Sequence, residues 1–222
     1  LSFQIATLDW IIGRNEVPDV INCHDHHTGL IPFMMLYCYK YEKLRNTPSM
    51  ITIHNGLYQG QFGFDKLYYL PEFDLAHVKV LEWDNCINSL AVAVKCAWGV
   101  TTVSPSYLNE INYSANGLES LFNLVRYKSR GILNGIDIEV WDPAKDMMLE
   151  KNYSITNFEK GKLENKEKLC NLFNLDPTKP LFSFIGRLLE EKGGDLLPHA
   201  AALALSENYQ QINILILGSG NT

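Results

Sequence analysis

The chain has 222 residues, 46% of them hydrophobic and 20% charged, with a net charge of −6 and a sequence pI near 5.5. An acidic chain without a Lys/Arg run lacks the basic surface by which nucleic-acid binders neutralise phosphates. Its longest apolar stretch, GLIPFMMLYCY at residues 29–39, falls far short of the roughly 20 residues that a membrane helix needs, and no secretory signal is visible.

The first segment, LSFQIATLDWIIG, carries a helical stripe of Leu1, Ile5, Leu8 and Ile12 that is already under way at residue 1. DVINC (19–23) and MITIH (50–54) predict strands. Residues 83–97 predict a helix with Ile87, Leu90, Ala91 and Val94 along one face. GVTTVS (99–104) predicts a strand, after which Ser104 caps a helix with Pro105 at its first position, running through SYLNEI. RGILNG (130–135) predicts another short strand and turn.

Beyond Trp141-Asp142-Pro143 the texture becomes polar. KGKLENKEKLCNLF (160–173) predicts a charged helix, PLFSFIGRL (180–188) a buried strand, GGDLLPHAAALAL (193–205) a helix and QINILILG (211–218) a strand. Apolar strands separated by helices predict parallel sheets covered on both faces, in two α/β units that meet near residue 140. The uncapped start and the Gly-rich LGSGNT at the end predict a piece of something longer. The five cysteines, Cys23, Cys38, Cys86, Cys96 and Cys170, are scattered without CxxC spacing, which predicts reduced, mostly buried thiols in a cytoplasmic protein.

Three segments carry candidate chemistry. CHDHHTG (23–29) follows directly on a predicted strand, and ligands of open α/β sheets bind at the carboxyl ends of strands. On an extended chain His24 and His26 share one side while Asp25 and His27 take the other, so the four do not converge as metal ligands must. A polar cleft lining, hydrogen-bonded strand-end residues and a metal site are the open readings. HNGLYQG (54–60) repeats the arrangement, with Asn55, Tyr58 and Gln59 suited to a hydroxyl-rich ligand or to a structured Asn turn. GRLLEEKGGD (186–195) sets Gly186, Arg187, Lys192 and Gly193 between a buried strand and a helix start. Backbone N–H groups and two cations there suit a phosphate, although surface charges near a helix start read equally well. It is not a GxxxxGK[ST] loop. LGSGNT is a weaker second Gly-rich turn of the same kind.

Seven segments, PDVINCHDHHTGL, TIHNGLYQGQF, VTTVSPSYLNEI, NGLES, GILNGIDIEVWDP, FIGRLLEEKGGDLL and LILGSG, together resemble the bacterial glycogen synthase and plant starch synthase family in order, spacing and content. The resemblance implies the GT-B fold, an α/β architecture of two Rossmann-like parallel-sheet domains, both incomplete in this chain. Residues 1–138 would be the C-terminal half of the N-terminal, acceptor-side domain. Residues 139–222 would be the linker and the start of the nucleotide-sugar-binding domain. It implies retaining transfer of glucose from a nucleotide sugar (ADP-glucose, or UDP-glucose) to the non-reducing end of an α-1,4-glucan, with no cofactor or metal and no nucleic-acid or membrane partner.

Carried onto this sequence, the resemblance sets His27 beside the donor glucose with Asp25 supporting it, and Arg187 and Lys192 on the donor diphosphate with Gly186 and Gly193. Asn55, Tyr58 and Gln59 fall in the acceptor-side loop, and Asn134 and Asp137 in the segment crossing between domains. The family's HDWH reads HDHH here, with His26 for the tryptophan, and its YGLEG reads NGLES. The family's Lys-Thr-Gly-Gly-Leu loop and its later carboxylate segment lie outside residues 1–222, so the chain alone is expected to be inactive. Two other readings remain: a different retaining GT-B transferase, such as a sucrose or sugar-phosphate synthase, and a glucan-binding protein without activity.

Overall fold

The computed structural model describes residues 1–14, 16–207 and 211–220. Packing divides the chain into Leu1–Gly135 and Ile136–Thr222, whereas the sequence places the break after residue 138.

The first unit runs α1 (Ser2–Gly13), β1 (Ile21–His24), α2 (Ile31–Tyr37), β2 (Ser49–Ile53), β3 (Gln61–Phe62), α3 (Val78–Leu81), β4 (Glu82–Trp83), β5 (Cys86–Asn88), α4 (Ser89–Cys96), β6 (Gly99–Thr102), α5 (Pro105–Ile111), α6 (Glu119–Leu124) and β7 (Ser129–Gly131). Strands β1, β2, β6 and β7 form one parallel sheet in that order. Register sets Cys23, Ile51 and Val100 side by side, all buried, in one core with Phe33, Met34, Leu90 and Val94 from α2 and α4. Ile5, Leu8 and Ile12 of the predicted stripe meet this core, and Leu1 stays at the rim.

Within this chain the opposite face of that sheet is not covered among the described residues, so the covering that the sequence predicts for both faces is present on one. It carries exposed Asn22 and half-buried Met50, Thr52 and Thr101, and Thr52 Oγ1 lies 2.8 Å from Thr101 Oγ1 and 3.3 Å from Asn22 Oδ1. The alternation in SMITI is that of a strand buried on one side only.

A second correction concerns residues 83–97, which are not one helix. Asp84 and Asn85 both take positive φ, 51° and 59°, the conformation of a two-residue hairpin turn for which Asp and Asn are suited. Trp83 therefore pairs with Cys86, and α4 starts only at Ser89, where Asn88 Oδ1 accepts from the Ala91 N–H at 3.0 Å. The Ser104 cap is present as the sequence predicts, accepting from the Tyr107 N–H at 2.9 Å, with Pro105 opening α5.

The second unit contains α7 (Phe158–Leu172), β8 (Leu181–Ile185), α8 (Leu197–Glu207) and β9 (Asn213–Leu217), with β8 and β9 a parallel pair. Helix α8 begins at Leu197 rather than at residue 193, because Gly193, at φ 70°, opens a turn first. Here too the predicted covering is missing among the described residues. Phe182, Ile185 and Leu217 are exposed, and Phe182, Phe184, Ala200, Ala204, Ile214 and Ile216 line an open apolar groove of about 450 Å³. The five cysteines are free thiols, four buried and Cys86 partly so. No helix among the described residues is long and apolar enough to cross a membrane.

Candidate functional site

At the carboxyl edge of the first sheet, β1 ends in His24 and turns sharply at Asp25. Asp25 sits at φ 53°, ψ −172°, a region almost confined to glycine that costs on the order of 1–3 kcal/mol for other residues. The surroundings hold it there. Its N–H still donates to the Thr52 carbonyl at 3.0 Å, and its Oδ1 accepts from the backbone N–H of His54 (2.8 Å) and Asn55 (3.4 Å). Thr28 closes the turn, donating to the His24 carbonyl at 2.8 Å and accepting from the His24 N–H at 2.6 Å. Gly29 allows it to lie on α4, since a Cβ at this position would run into the Ser89 carbonyl.

This turn aims the imidazoles. His24 Nδ1 lies 2.9 Å from His54 Nε2, so each ring occupies the other's nitrogen. His26 Nδ1 donates to the Tyr58 carbonyl at 3.0 Å, and the rings of His26 and exposed His27 meet at 3.8 Å. Burial, and next the charge of His27, hold the His26 imidazole below its ordinary value, against the Tyr58 carbonyl and Asp25. Among the described residues no group of three or more His, Cys, Asp or Glu side chains is placed to hold a metal ion.

The loop 54–60 is built around the same turn. Asn55 Oδ1 accepts from the Leu57 N–H at 3.0 Å, the Gly56 N–H donates to the Tyr107 hydroxyl at 2.8 Å, and the Tyr58 side chain is exposed. Gly60, at φ 65°, leaves room for the His26 ring, which a Cβ would meet at 2.7 Å. Gln59 departs from its predicted role as a ligand contact. It is 5% exposed, and its amide is spent on the carbonyls of Ala115 (3.1 Å) and Asn116 (2.9 Å) and on Asn88.

Of the segment 134–137, Asn134 lies in the first unit and Asp137 in the second, both exposed. Asp137 Oδ1 accepts from the N–H of Glu139 and Val140, which makes it a turn cap.

In the second unit the strand-end loops of β8 and β9 are zipped together. Gly186 N–H donates to Leu217 O at 3.1 Å and Leu188 N–H to Ser219 O at 2.9 Å, and side chains at 218 or 220 would strike this backbone. Gly194 is similarly tight, a Cβ meeting the Leu188–Leu189 peptide at 2.8 Å. Arg187 pairs with Glu191 at 3.0 Å in an exposed contact that a diphosphate could displace at little cost. Lys192 is exposed on the short 3-10 turn just before Gly193. Of the predicted LGSGNT turn, Asn221 and Thr222 lie outside the described residues.

The sequence did not announce Tyr107, His24 with His54, or the buried Gln59–Asn88 pair. Each depends on a partner far along the chain. Only the Asp-Asn turn had a local signal.

Two α/β units with parallel strands, each gathering polar loops at the carboxyl ends of its strands, make this a chain of the GT-B type, which places it among the glycosyltransferases. A family model described as the starch synthase catalytic domain matches residues 1–124, and the chain belongs to that family. Over 221 residues it is 77% identical to a glycogen synthase of Flavobacterium johnsoniae, covering 100% of this chain and 47% of that protein. A glycogen synthase of Streptococcus agalactiae is 37% identical over 98% of this chain and 46% of its own length. The catalytic domain of starch synthase IV from Arabidopsis thaliana, bound to ADP and acarbose, superposes with a TM-score of 0.83 at 29% identity, over 99% of this chain and 46% of that one. The chain thus spans about half the length of the curated relatives it matches.

Proposed function

We propose that the protein to which this chain belongs transfers glucose, with retention, from ADP-glucose to the non-reducing end of an α-1,4-glucan, in the cytoplasm. The first unit is the C-terminal half of its acceptor-side domain, and the second is the linker and the start of its nucleotide-sugar-binding domain. The carrying observation is the turn at Asp25, whose costly backbone conformation is held by five polar contacts and serves to aim His26 and His27 at a strand end. Strain maintained this way accords with preorganisation of a site. The glycogen synthase relatives and the ADP and acarbose of the plant structure support the choice of donor and acceptor.

In this reading Arg187 exchanges Glu191 for the donor diphosphate, and Lys192 with the glycine-lined backbone at 186 and 193 completes its grip. These groups stabilise charge that grows on the leaving oxygen, a preorganised effect worth about 3 kcal/mol per well-placed donor. His27 lies against the glucosyl ring as positive charge develops at its anomeric carbon, and Asp25 keeps it there. Asn55 and Tyr58 meet the acceptor, and Asn134 and Asp137 mark the crossing between domains. His26, where the family has tryptophan, packs on Gly60 and steadies His27.

The full-length protein carrying Lys192→Ala tests this. Turnover with ADP-glucose should fall roughly 10²-fold and nucleotide-sugar affinity should weaken, with glycogen binding unchanged. Equal losses of both affinities would remove the donor role of Lys192. Glycogen binding by the unaltered protein without transfer from either ADP-glucose or UDP-glucose would favour the glucan-binding reading.

A further inference from the structure

A buried polar hub lies behind the strand-end cluster, and its polarity can be read without seeing a hydrogen. The Ala91 N–H can only donate, so it makes Asn88 Oδ1 the acceptor at 3.0 Å. Asn88 must then present its NH₂ to Gln59, whose Oε1 accepts at 2.7 Å. That leaves Gln59 Nε2 facing the carbonyls of Ala115 and Asn116, which need a donor. Helix start, loop and turn form one chain of bonds with a single direction, closed by the Leu90 N–H donating to Gln59 O at 3.1 Å.

The turn that Gln59 reaches needs such support. Asn116 and Gly117 both take positive φ, 50° and 92°. Side chains hold their backbone groups: Glu119 Oε1 takes the N–H of Ala115 and Gly117, and Trp83 Nε1 donates to the Gly117 carbonyl at 3.0 Å. The result presents the Asn116 side chain, at a conformation unusual for a non-glycine residue, to solvent.

We propose that Gln59 is a positioning residue for the glucan acceptor: it ties the loop presenting Asn55 and Tyr58 to the turn presenting Asn116, so that one sugar chain meets both at a fixed spacing. Asn116 is thereby a further hydroxyl-contacting residue. This rests on the acceptor-side reading of the first unit.

The test uses the full-length protein with Gln59→Met, which keeps the length and loses the donors, and Gln59→Glu. Glucan KM should rise roughly tenfold, about 1.4 kcal/mol, while kcat and the nucleotide-sugar KM stay within about twofold. In Gln59→Glu the ionised carboxylate cannot donate to two carbonyls but the protonated acid can donate to one, so its glucan KM should recover as pH is lowered while that of Gln59→Met does not. A purely structural residue would lower the active fraction, reducing kcat and leaving both KM values alone, and that result overturns the proposal. So does an equal rise of both KM values. Should Gln59→Met fail to fold, Asn88→Asp retains the α4 cap but cannot donate to Gln59, and it must show the same split. If the unaltered protein transfers no glucose, the functional reading fails, and glycogen affinity electrophoresis of the variants still decides the positioning claim.

Discussion

The two units meet the same problem, an apolar parallel pair of strands, and end in different states. In the first, SMITI and GVTT lie over helices α2 and α4, and Ile51, Ile53 and Val100 are wholly shielded from water. In the second, LFSFI and NILIL are the more apolar strands, yet Phe182, Ile185 and Leu217 face solvent, and of the described hydrophobic residues beyond Gly135 only Cys170 is fully buried. Burial is therefore a property of what is laid over a strand, not of the strand's own composition. An exposed apolar face gains nothing until something covers it.

The largest expected effect tests that contrast directly. Phe33, enclosed by Phe73 edge-on at 5.1 Å and Tyr37 at 5.0 Å, is wholly buried. Phe33→Ala should cost about 3–5 kcal/mol in urea unfolding, through lost transfer energy and the cavity left behind. In the 222-residue chain by itself, Phe182→Ala, at 59% exposure, should change stability by no more than about 0.5 kcal/mol. Similar losses from both would mean that the second unit has a core of its own.

Glycines give a smaller contrast within the first unit. Gly29→Ala drives a methyl into the Ser89 carbonyl, a backbone atom that cannot turn aside, and should destabilise by about 1–3 kcal/mol. Gly135 has nothing within 4 Å of its would-be Cβ. Gly135→Ala should be neutral or stabilising by up to about 1 kcal/mol, because it narrows the unfolded ensemble. Thermal unfolding of the two variants side by side would show it, and a stable Gly29→Ala protein would mean that the turn is free to move off α4.

Much of this architecture was legible, and what was not has a common cause. Ser104-Pro105 predicts its helix start because capping is settled within three residues. The open face of the first sheet was written in the alternation of Ile51, Thr52 and Ile53, which counts against two covered faces. The 3.6-residue stripe of residues 83–97 was misleading, since the Asp84-Asn85 turn governs the first part of it. CHDHHTG pointed correctly to a strand end, but the mutual engagement of His24 with His54 joins positions 30 residues apart. The burial of Gln59 depends on carbonyls 56 and 57 residues further on. No local pattern encodes such partners.

The pH response should separate the strand-end cluster from the rest of the first unit. The folded protein holds the His26 imidazole below 6.5, the ordinary value that applies when unfolded, so in the window just under 6.5 the unfolded chain binds more protons. Stability then rises with pH across that window and falls on acidification. His26→Gln should flatten the slope of urea midpoint against pH between about pH 5 and 7, while Tyr58 and Gly60 keep their places. An unchanged slope would assign the acid sensitivity to other groups.

The smallest effect concerns cysteine access, where reaction rate reports opening of each unit. Burial pushes the thiols of Cys23, Cys38 and Cys96 up to about 12. At pH 8 such groups are almost wholly protonated, and their burial leaves alkylation slow until the first unit opens. Cys86, partly exposed on the hairpin, should react first. Cys170 is as fully buried as Cys38, yet it belongs to the unit with little other core. Local opening there costs less, because few apolar contacts are lost when its helix detaches. Iodoacetamide labelling followed by peptide mass analysis should therefore give the order Cys86, then Cys170, then Cys23, Cys38 and Cys96. If Cys170 resists as long as Cys96, the second unit closes as firmly as the first, and the contrast between them is confined to its exposed sheet.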